Sequence, residues 1–397
     1  MDVVRNPYAP GAGTPPPELA GRTDLIQEGT IAIQRMAAGR PTQSIIMVGL
    51  RGVGKTVLLN RFEEMATESG CRVSLVEAHE GKGLPELLAP HLRSILYSLS
   101  HVQNAKDLAR RGLRGLKGFL NGLRVNISDI DFGLSIDAEE GLADSGNIEA
   151  DFPELIVAVA QAAKAASKPV ALLIDELQYL SEKEFSALIM GVHKVNQKNL
   201  PLIVIGAGLP QIRALAGNSK SYAERLFRFP DIGALKTLDA VEAIQQPAMS
   251  EGARFDDRAI AHILAITERY PYFLQQWGYV AWNISQTNVI TEETARRADA
   301  LAIAELDKSF FQMRFERCTP SEKRYMRALA EFGAGKQRSG EIADLLGVKV
   351  QSVAPTRSAL IKKGMIYSPA HGDTEFTVPL FDQYMRRAIP IFGAGRV

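Results

Sequence analysis

Four short apolar runs, Ser44–Val48, Arg72–Val76, Val170–Ile174 and Leu202–Gly206, read as buried strands. Between them, residues 57–65, 84–99 and 182–197 carry apolar side chains at helical spacing, and Asp24–Ala38 forms an amphipathic helix ahead of the first strand. Strands that alternate with helices predict an α/β fold with a mostly parallel, helix-covered sheet. Ligands of such sheets bind at the carboxyl ends of the strands. A long segment, about Gly81 to Asp151, interrupts the alternation. Within it, Ala109–Leu120 is basic, amphipathic and glycine-rich, and Ile130–Ile136 alternates as a half-buried strand does. Each glycine weakens a free helix by up to ~1 kcal/mol. The segment is therefore expected to be a solvated surface excursion, the alternative being an insertion that contacts DNA or a membrane.

Beyond Pro230 the strand pattern stops. Helical periods over 239–250, 256–270, 272–285 and 292–309 predict an all-α lid. Three further helices are expected at 321–332, 339–347 and 350–363, with Gly347-Val348 as the break of a helix-turn-helix. Residues 365–368 and 375–378 flank a Pro369–Asp373 turn like a hairpin wing, which completes a winged helix-turn-helix pattern. Residues 1–20 are rich in proline and glycine and are expected to be extended. The expected domains are thus 1–20, an extended segment; 21–235, an α/β core with the 81–151 insertion; 236–310, the lid; and 311–397, the winged helix.

Chemistry enters with Gly49-Leu50-Arg51-Gly52-Val53-Gly54-Lys55-Thr56, which fits the phosphate-loop pattern G-x-x-x-x-G-K-[ST] and lies between a strand and a helix. Glycines let the backbone close on a polyphosphate, Lys55 supplies a point charge, and the Thr56 hydroxyl can ligate Mg²⁺. The strand Val170–Ile174 ends in Asp175-Glu176. In phosphate-loop proteins the first such carboxylate orients the Mg²⁺ shell, and the second can act as general base on water. The pair points to ATP hydrolysis, with ATP and Mg²⁺ as the expected ligands.

Composition adds little for the chain as a whole, with 46 Lys+Arg against 45 Asp+Glu. The distribution is uneven. Residues 310–397 hold 14 Lys/Arg against 8 Asp/Glu, net +6, which leaves the preceding residues at net −5. A basic C-terminal module suggests nucleic acid, although +6 also suits ordinary solubility. Lys349, Gln351, Ser352, Arg357, Lys362 and Lys363 give the third tail helix donors for phosphates and base edges of double-stranded DNA. Pro355 in that helix is tolerated in the first turn and kinks it deeper in. Two cysteines form neither a disulfide framework nor a metal spacing, and the six histidines have no ligand spacing. No signal-peptide layout and no membrane-length apolar run is present, so a cytoplasmic protein without a membrane partner is expected.

In this ordered set the chain resembles AAA+/STAND P-loop ATPases of the origin-initiator and archaeal-ATPase type with a C-terminal winged helix. Leu19-Ala20-Gly21-Arg22, the phosphate loop, Asp175-Glu176, Tyr222–Phe227 and the tail carry the resemblance. It implies a homo-oligomeric, nucleotide-dependent ATPase with adenine packed near Leu19–Arg22, and so Gly21 and Arg22 at the nucleotide. It also implies a trans-acting arginine after the fourth strand. Arg225 is the candidate, with Arg228 and Arg213 as competitors. Two departures stand out. Gly206-Ala207-Gly208 occupies the strand tip where many AAA+ proteins carry a polar sensor. Arg269-Tyr270-Pro271-Tyr272 replaces the usual lid arginine with a proline-containing signature closer to STAND switches, in which Arg269 can partly substitute. Three functions are compatible: a DNA-associated oligomeric switch; a STAND-type signalling or defence ATPase with the winged helix as internal clamp and a protein effector; or a transposition or plasmid-maintenance ATPase.

Overall fold

The computed structural model describes residues 1–11, 19–125, 138–370 and 372–392. The chain forms two compact units, one of residues 24–49 and 55–231, the other of residues 1–23, 50–54 and 232–397. The alternating stretch Ile130–Ile136 lies outside the described residues.

The first unit is built on a parallel sheet of β1 (Ser44–Val48), β2 (Arg72–Glu77), β3 (Val170–Asp175), β4 (Leu202–Gly208) and β5 (Phe227–Arg228), in the order β2-β3-β4-β1-β5. The central strands β1, β3 and β4 are buried along their whole length, which is why they read as continuous apolar runs. The edge strand β5 has only two residues and gives no such run; it pairs Phe227 with Ser44, the first residue of β1. Helix Lys55–Glu68 follows β1, and helix Glu182–Gln197 is opened by a capping box of Ser181 and Glu184. Gly29 lies against the Phe62 ring, where a β-carbon would overlap it.

The 81–151 insertion is not a solvated excursion. Its helices Leu84–Ser100 and Lys106–Gly122 bury Leu88, Leu92, Leu96, Leu113, Leu116 and Phe119 with Phe152 of helix Ile148–Ala165 in the sheet-covering core. The glycines make this packing close. A β-carbon on Gly112 would stand 2.6 Å from Leu96 Cδ2, and one on Gly115 2.9 Å from Leu142 Cδ2. Each buried leucine is worth about 1.5–3 kcal/mol, which outweighs the helix cost of a glycine. Arg111 and Arg114 stay on the outer face and pair with Glu139.

The second unit contains helices Thr237–Ser250, Asp257–Ile266, Pro271–Ile284 and Glu292–Leu306. The expectation of a strand-free lid is corrected by a small parallel pair, β6 (Arg254–Phe255) with β7 (Val289–Ile290), too short to show a period. The N-terminal segment is docked by specific contacts. Tyr8 is buried, donates its hydroxyl to Ile244 O, and fills the space a β-carbon on Gly278 would need. Trp282 Nε1 donates to Asp2 O at 2.9 Å.

The same unit ends with helix Pro320–Glu331, β8 (Gln337–Arg338), helix Ser339–Leu345, helix Val350–Lys362, β9 (Ile366–Tyr367), β10 (Asp373–Phe376) and helix Phe381–Ala388. Antiparallel pairing gives the order β8-β10-β9. Phe381 and Tyr384 pack on Phe311 with ring centroids 5.5 and 5.3 Å apart, which ties the last helix to the turn after Leu306. Pro355 lies inside helix Val350–Lys362 on an exposed position, and the helix runs on past it.

Candidate nucleotide site

The carboxyl ends of β1 and β3 bring the central residues together within the first unit. Lys55 opens a helix directly after the glycine loop; it is buried, and its Nζ donates to Gly49 O at 2.9 Å. Thr56 Oγ1 donates to Asp175 Oδ2 at 2.6 Å. Asp175 Oδ1 accepts from Glu176 N at 2.8 Å. Asp175 is only 5% exposed, and burial pushes its carboxyl above the ordinary value against the hydrogen bond from Thr56. The hydroxyl and the carboxylate are hard oxygen donors side by side, a set that fits Mg²⁺. Glu176 sits in the left-handed region at φ +52°, a conformation disfavoured for a side-chain-bearing residue and found at functional turns. Its carboxylate accepts from Gln178 Nε2.

The loop tip, residues 50–54, is held within the second unit. Tyr270 donates its hydroxyl to Arg51 O, Tyr272 N donates to Gly52 O at 3.2 Å, and Arg22 donates to Val53 O at 3.2 Å. In a trans peptide the carbonyl and the following N–H point opposite ways. Three carbonyls fixed on these partners therefore turn the amides of Gly52, Val53 and Gly54 to the other side, as an anion-binding nest requires. Gly52 and Gly54 have φ of +81° and +94°, and a β-carbon on Gly52 would press to 3.2 Å on both Tyr270 and Tyr272. Arg51 N reaches Thr377 O at 3.4 Å. The tyrosines are the residues missed by the sequence reading, although the Arg269-Tyr270-Pro271-Tyr272 signature marks the place.

Arg22 also donates to Gly233 O at 2.7 Å, and its burial lowers the guanidinium below its ordinary value. Gly21 has φ +68° and packs on Asp239, whose carboxylate a β-carbon would approach to 2.6 Å. Arg269 is exposed, has φ +59°, and directs its guanidinium to Thr237 Oγ1 at 3.3 Å. It is the neighbouring Tyr270, not Arg269, that reaches the loop.

The three arginine candidates separate. Arg228 pairs with Glu28, and Arg213 with Asp231 at 2.8 Å and Phe229 O at 2.7 Å. Arg225 is exposed and makes no side-chain hydrogen bond or ion pair among the described residues. It immediately precedes the strand that pairs with the start of β1, so it sits at the opposite end of the sheet from Lys55.

Of the six tail residues, Lys349, Gln351, Ser352 and Lys362 are exposed on helix Val350–Lys362 or its cap. Two do not fit a free donor. Arg357 donates to Thr374 Oγ1 at 2.8 Å, Ser368 Oγ at 2.8 Å and Asp373 O at 2.7 Å, so it fastens the helix to the hairpin. Lys363 donates to Glu322 at 2.7 Å and to Arg317 O at 3.0 Å. Both lie on the inner side of the helix, where local acceptors capture them.

Fold and site together define a P-loop nucleoside-triphosphatase. Residues 18–205 match the AAA ATPase domain family, and residues 308–385 match a domain of unknown function (DUF8462). No match was found among curated protein sequences. Among solved structures, a Walker-type ATPase of Pyrococcus abyssi superposes with a TM-score of 0.55 at 15% identity, covering 94% of this chain and 97% of that one. The Aeropyrum pernix Orc1 protein in complex with DNA gives 0.48 at 15%, covering 96% and 95%. The Thermotoga maritima RuvB Holliday junction branch migration motor gives 0.45 at 13%, covering 94% and 96%. Residues 18–205 thus carry an AAA ATPase domain, which binds nucleotide and hydrolyses ATP. No helix among the described residues is long and apolar enough to cross a membrane.

Proposed function

We propose that this ATPase is a nucleotide-dependent, DNA-associated oligomeric switch that uses ATP with Mg²⁺. The observation that carries the site assignment is the contact of Thr56 with the buried Asp175 beside Lys55. Lys55 releases Gly49 O to meet the β/γ-phosphates, while the amides of residues 52–54 bind phosphate oxygens. Thr56 and Asp175 would hold Mg²⁺, which would neutralise charge on the phosphates. Glu176 takes the proton of the attacking water.

Arg225 supports the oligomer. Its place at the far end of the sheet rules out service to its own phosphate loop, and its exposure suits insertion into the site of a neighbouring copy. The helix–strand–helix–turn–helix–hairpin order of residues 320–376 supports a winged helix whose free donors, Lys349, Gln351, Ser352 and Lys362, face DNA. A second reading has one observation in its favour. The reach of Arg51 N to Thr377 O suits a winged helix that clamps the loop tip, as a signalling switch with a protein effector would use it.

Oligomer size and binding of a duplex, each measured with and without ATP, separate the two. An ATP-dependent, salt-sensitive mobility shift supports the first reading. No duplex binding at any salt, together with faster nucleotide release on Thr377→Val, which frees the segment from Gly364 O and Met365 O, supports the clamp. The chemistry is tested by Glu176→Gln, which should keep ATP affinity and lower turnover by ~10²–10⁴-fold. Unchanged turnover would remove Glu176 as the base.

A further inference from the structure

The strand tip where a polar sensor is absent is occupied from another direction. Residues Leu177–Tyr179 form a single tight turn directly after Glu176. Gln178 in that turn makes two hydrogen bonds with opposite ends of one amide. Its Nε2 donates to the Glu176 carboxylate, and its Oε1 accepts from Leu209 N, the residue after β4, at 3.0 Å. A single side chain thus connects the end of β3 to the end of β4.

The glycines of β4 are the room this bridge needs. A β-carbon on Gly206 would overlap Leu177 Cδ1, and one on Gly208 would stand 3.2 Å from Gln178 Oε1. A side chain at position 206 would have to displace the Leu177 side chain. The departure Gly206-Ala207-Gly208 is therefore the counterpart of the turn rather than a lost function.

We propose that Gln178 is a positioning residue for hydrolysis, holding one oxygen of the Glu176 carboxylate so that the other faces the attacking water. The proposal rests on Glu176 being the base. Glu176 has a left-handed backbone, and the amide that meets its carboxylate is itself fixed at its far end by the residue after β4. The backbone of β4 is thereby connected to the base: a shift of Leu209 N moves the amide, and the amide moves the carboxylate. Gln178 transfers no proton and forms no covalent bond. Its effect is geometric, and misplacement of a catalytic group by about 1 Å costs on the order of 10²-fold in rate.

The test uses the full chain with four variants: Gln178→Ala, Gln178→Glu, Glu176→Gln and the double variant Glu176→Gln/Gln178→Ala. ATP affinity, kcat, KM and Tm are measured on each. Gln178→Glu retains the acceptor for Leu209 N but replaces the donor to Glu176 with a second carboxylate, so it removes one bond while keeping the other. Both single Gln178 variants should lower kcat by roughly 10–100-fold with ATP affinity within about twofold of the parent. The double variant should be no slower than Glu176→Gln, because Gln178 acts through that carboxylate.

If Gln178→Ala lowers Tm enough to obscure its kinetics, the glutamate variant, which keeps the bond to Leu209, decides. Full kcat in Gln178→Glu while Glu176→Gln is slow would overturn the proposal and leave the base in place. A double variant slower than Glu176→Gln by the whole Gln178 effect would also overturn it, since Gln178 would then act elsewhere. If Glu176→Gln itself turns over normally, the base assignment falls and the proposal with it.

Discussion

The buried carboxylate at the end of β3 and the half-buried guanidinium of Arg357 are treated differently by the protein. Among the described residues the Asp175 carboxylate accepts from a hydroxyl and a backbone amide, and burial pushes the carboxyl up. Arg357 finds three oxygen acceptors within its own hairpin. A buried charge left in a costly state gains from an incoming counter-ion. A charge already matched by its neighbours has little to gain from a ligand. Polar residue type alone does not separate these two cases; the partners do.

The largest break in this comparison comes from the cation beside Asp175. Lys55→Ala should weaken ATP binding by about 10–100-fold, the worth of a charge-assisted bond to phosphate. Equilibrium titration with ATP checks it, and affinity within threefold of the parent would contradict the phosphate-loop role.

The tail offers the matching experiment. Arg357→Ala should lower folding stability by about 1.5–3 kcal/mol, because Thr374, Ser368 and Asp373 O lose a charged donor. It should leave the salt dependence of duplex binding unchanged. Lys349→Ala and Lys362→Ala should do the reverse: Tm stays put, and each reduces the log–log salt slope by about 0.9. Denaturant melts and binding isotherms at several salt concentrations distinguish the two classes. A reduced slope for Arg357→Ala would place that residue on the proposed DNA-facing side.

Smaller effects follow at the loop tip. Tyr270→Phe removes the hydroxyl from Arg51 O and frees that peptide to rotate, which should weaken ATP binding by about 2–10-fold. The weakest effect concerns pH. The folded-state carboxyl of Asp175 is raised above its unfolded value, so the folded chain retains the proton longer as pH rises. Its contribution to stability is greatest at low pH and is lost as pH rises through the carboxylate range. Asp175→Asn cannot ionise; the gap between its Tm and that of the parent should shift in favour of the variant from pH 4 to pH 7. A gap that moves the other way would mean the carboxylate is stabilised by a partner.

Much of the core was legible because its signals are local. Gly49–Thr56 and Asp175-Glu176 announce themselves by type and spacing, and β1, β3 and β4 by unbroken apolarity. The remainder depends on contacts distant in sequence. Nothing near Ala109–Leu120 reveals that Gly112 faces Leu96 or that Gly115 faces Leu142, so a buried helix resembles a solvated one. Arg357 looks like a DNA donor until Thr374 and Ser368 are placed beside it. Tyr270 is one of many aromatics until its hydroxyl is seen on the loop carbonyl. Gln178 carries no local signal: only the Glu176 carboxylate and Leu209 N, brought to it by the fold, single it out.

The docking of Tyr8 has a consequence for how the chain is made. Its hydroxyl binds Ile244, 236 residues further along, and its ring covers Gly278. At ~5–20 residues per second, a ribosome needs roughly 12–50 s to supply Ile244 after Tyr8 has been polymerised. During that interval the N-terminal aromatic has no socket, while the strands and helices of residues 24–231 are already available to one another. The unit that contains Tyr8 therefore closes only once Ile244 and Gly278 have been made, and Tyr8→Ala, which removes both contacts, should lower the yield of folded protein.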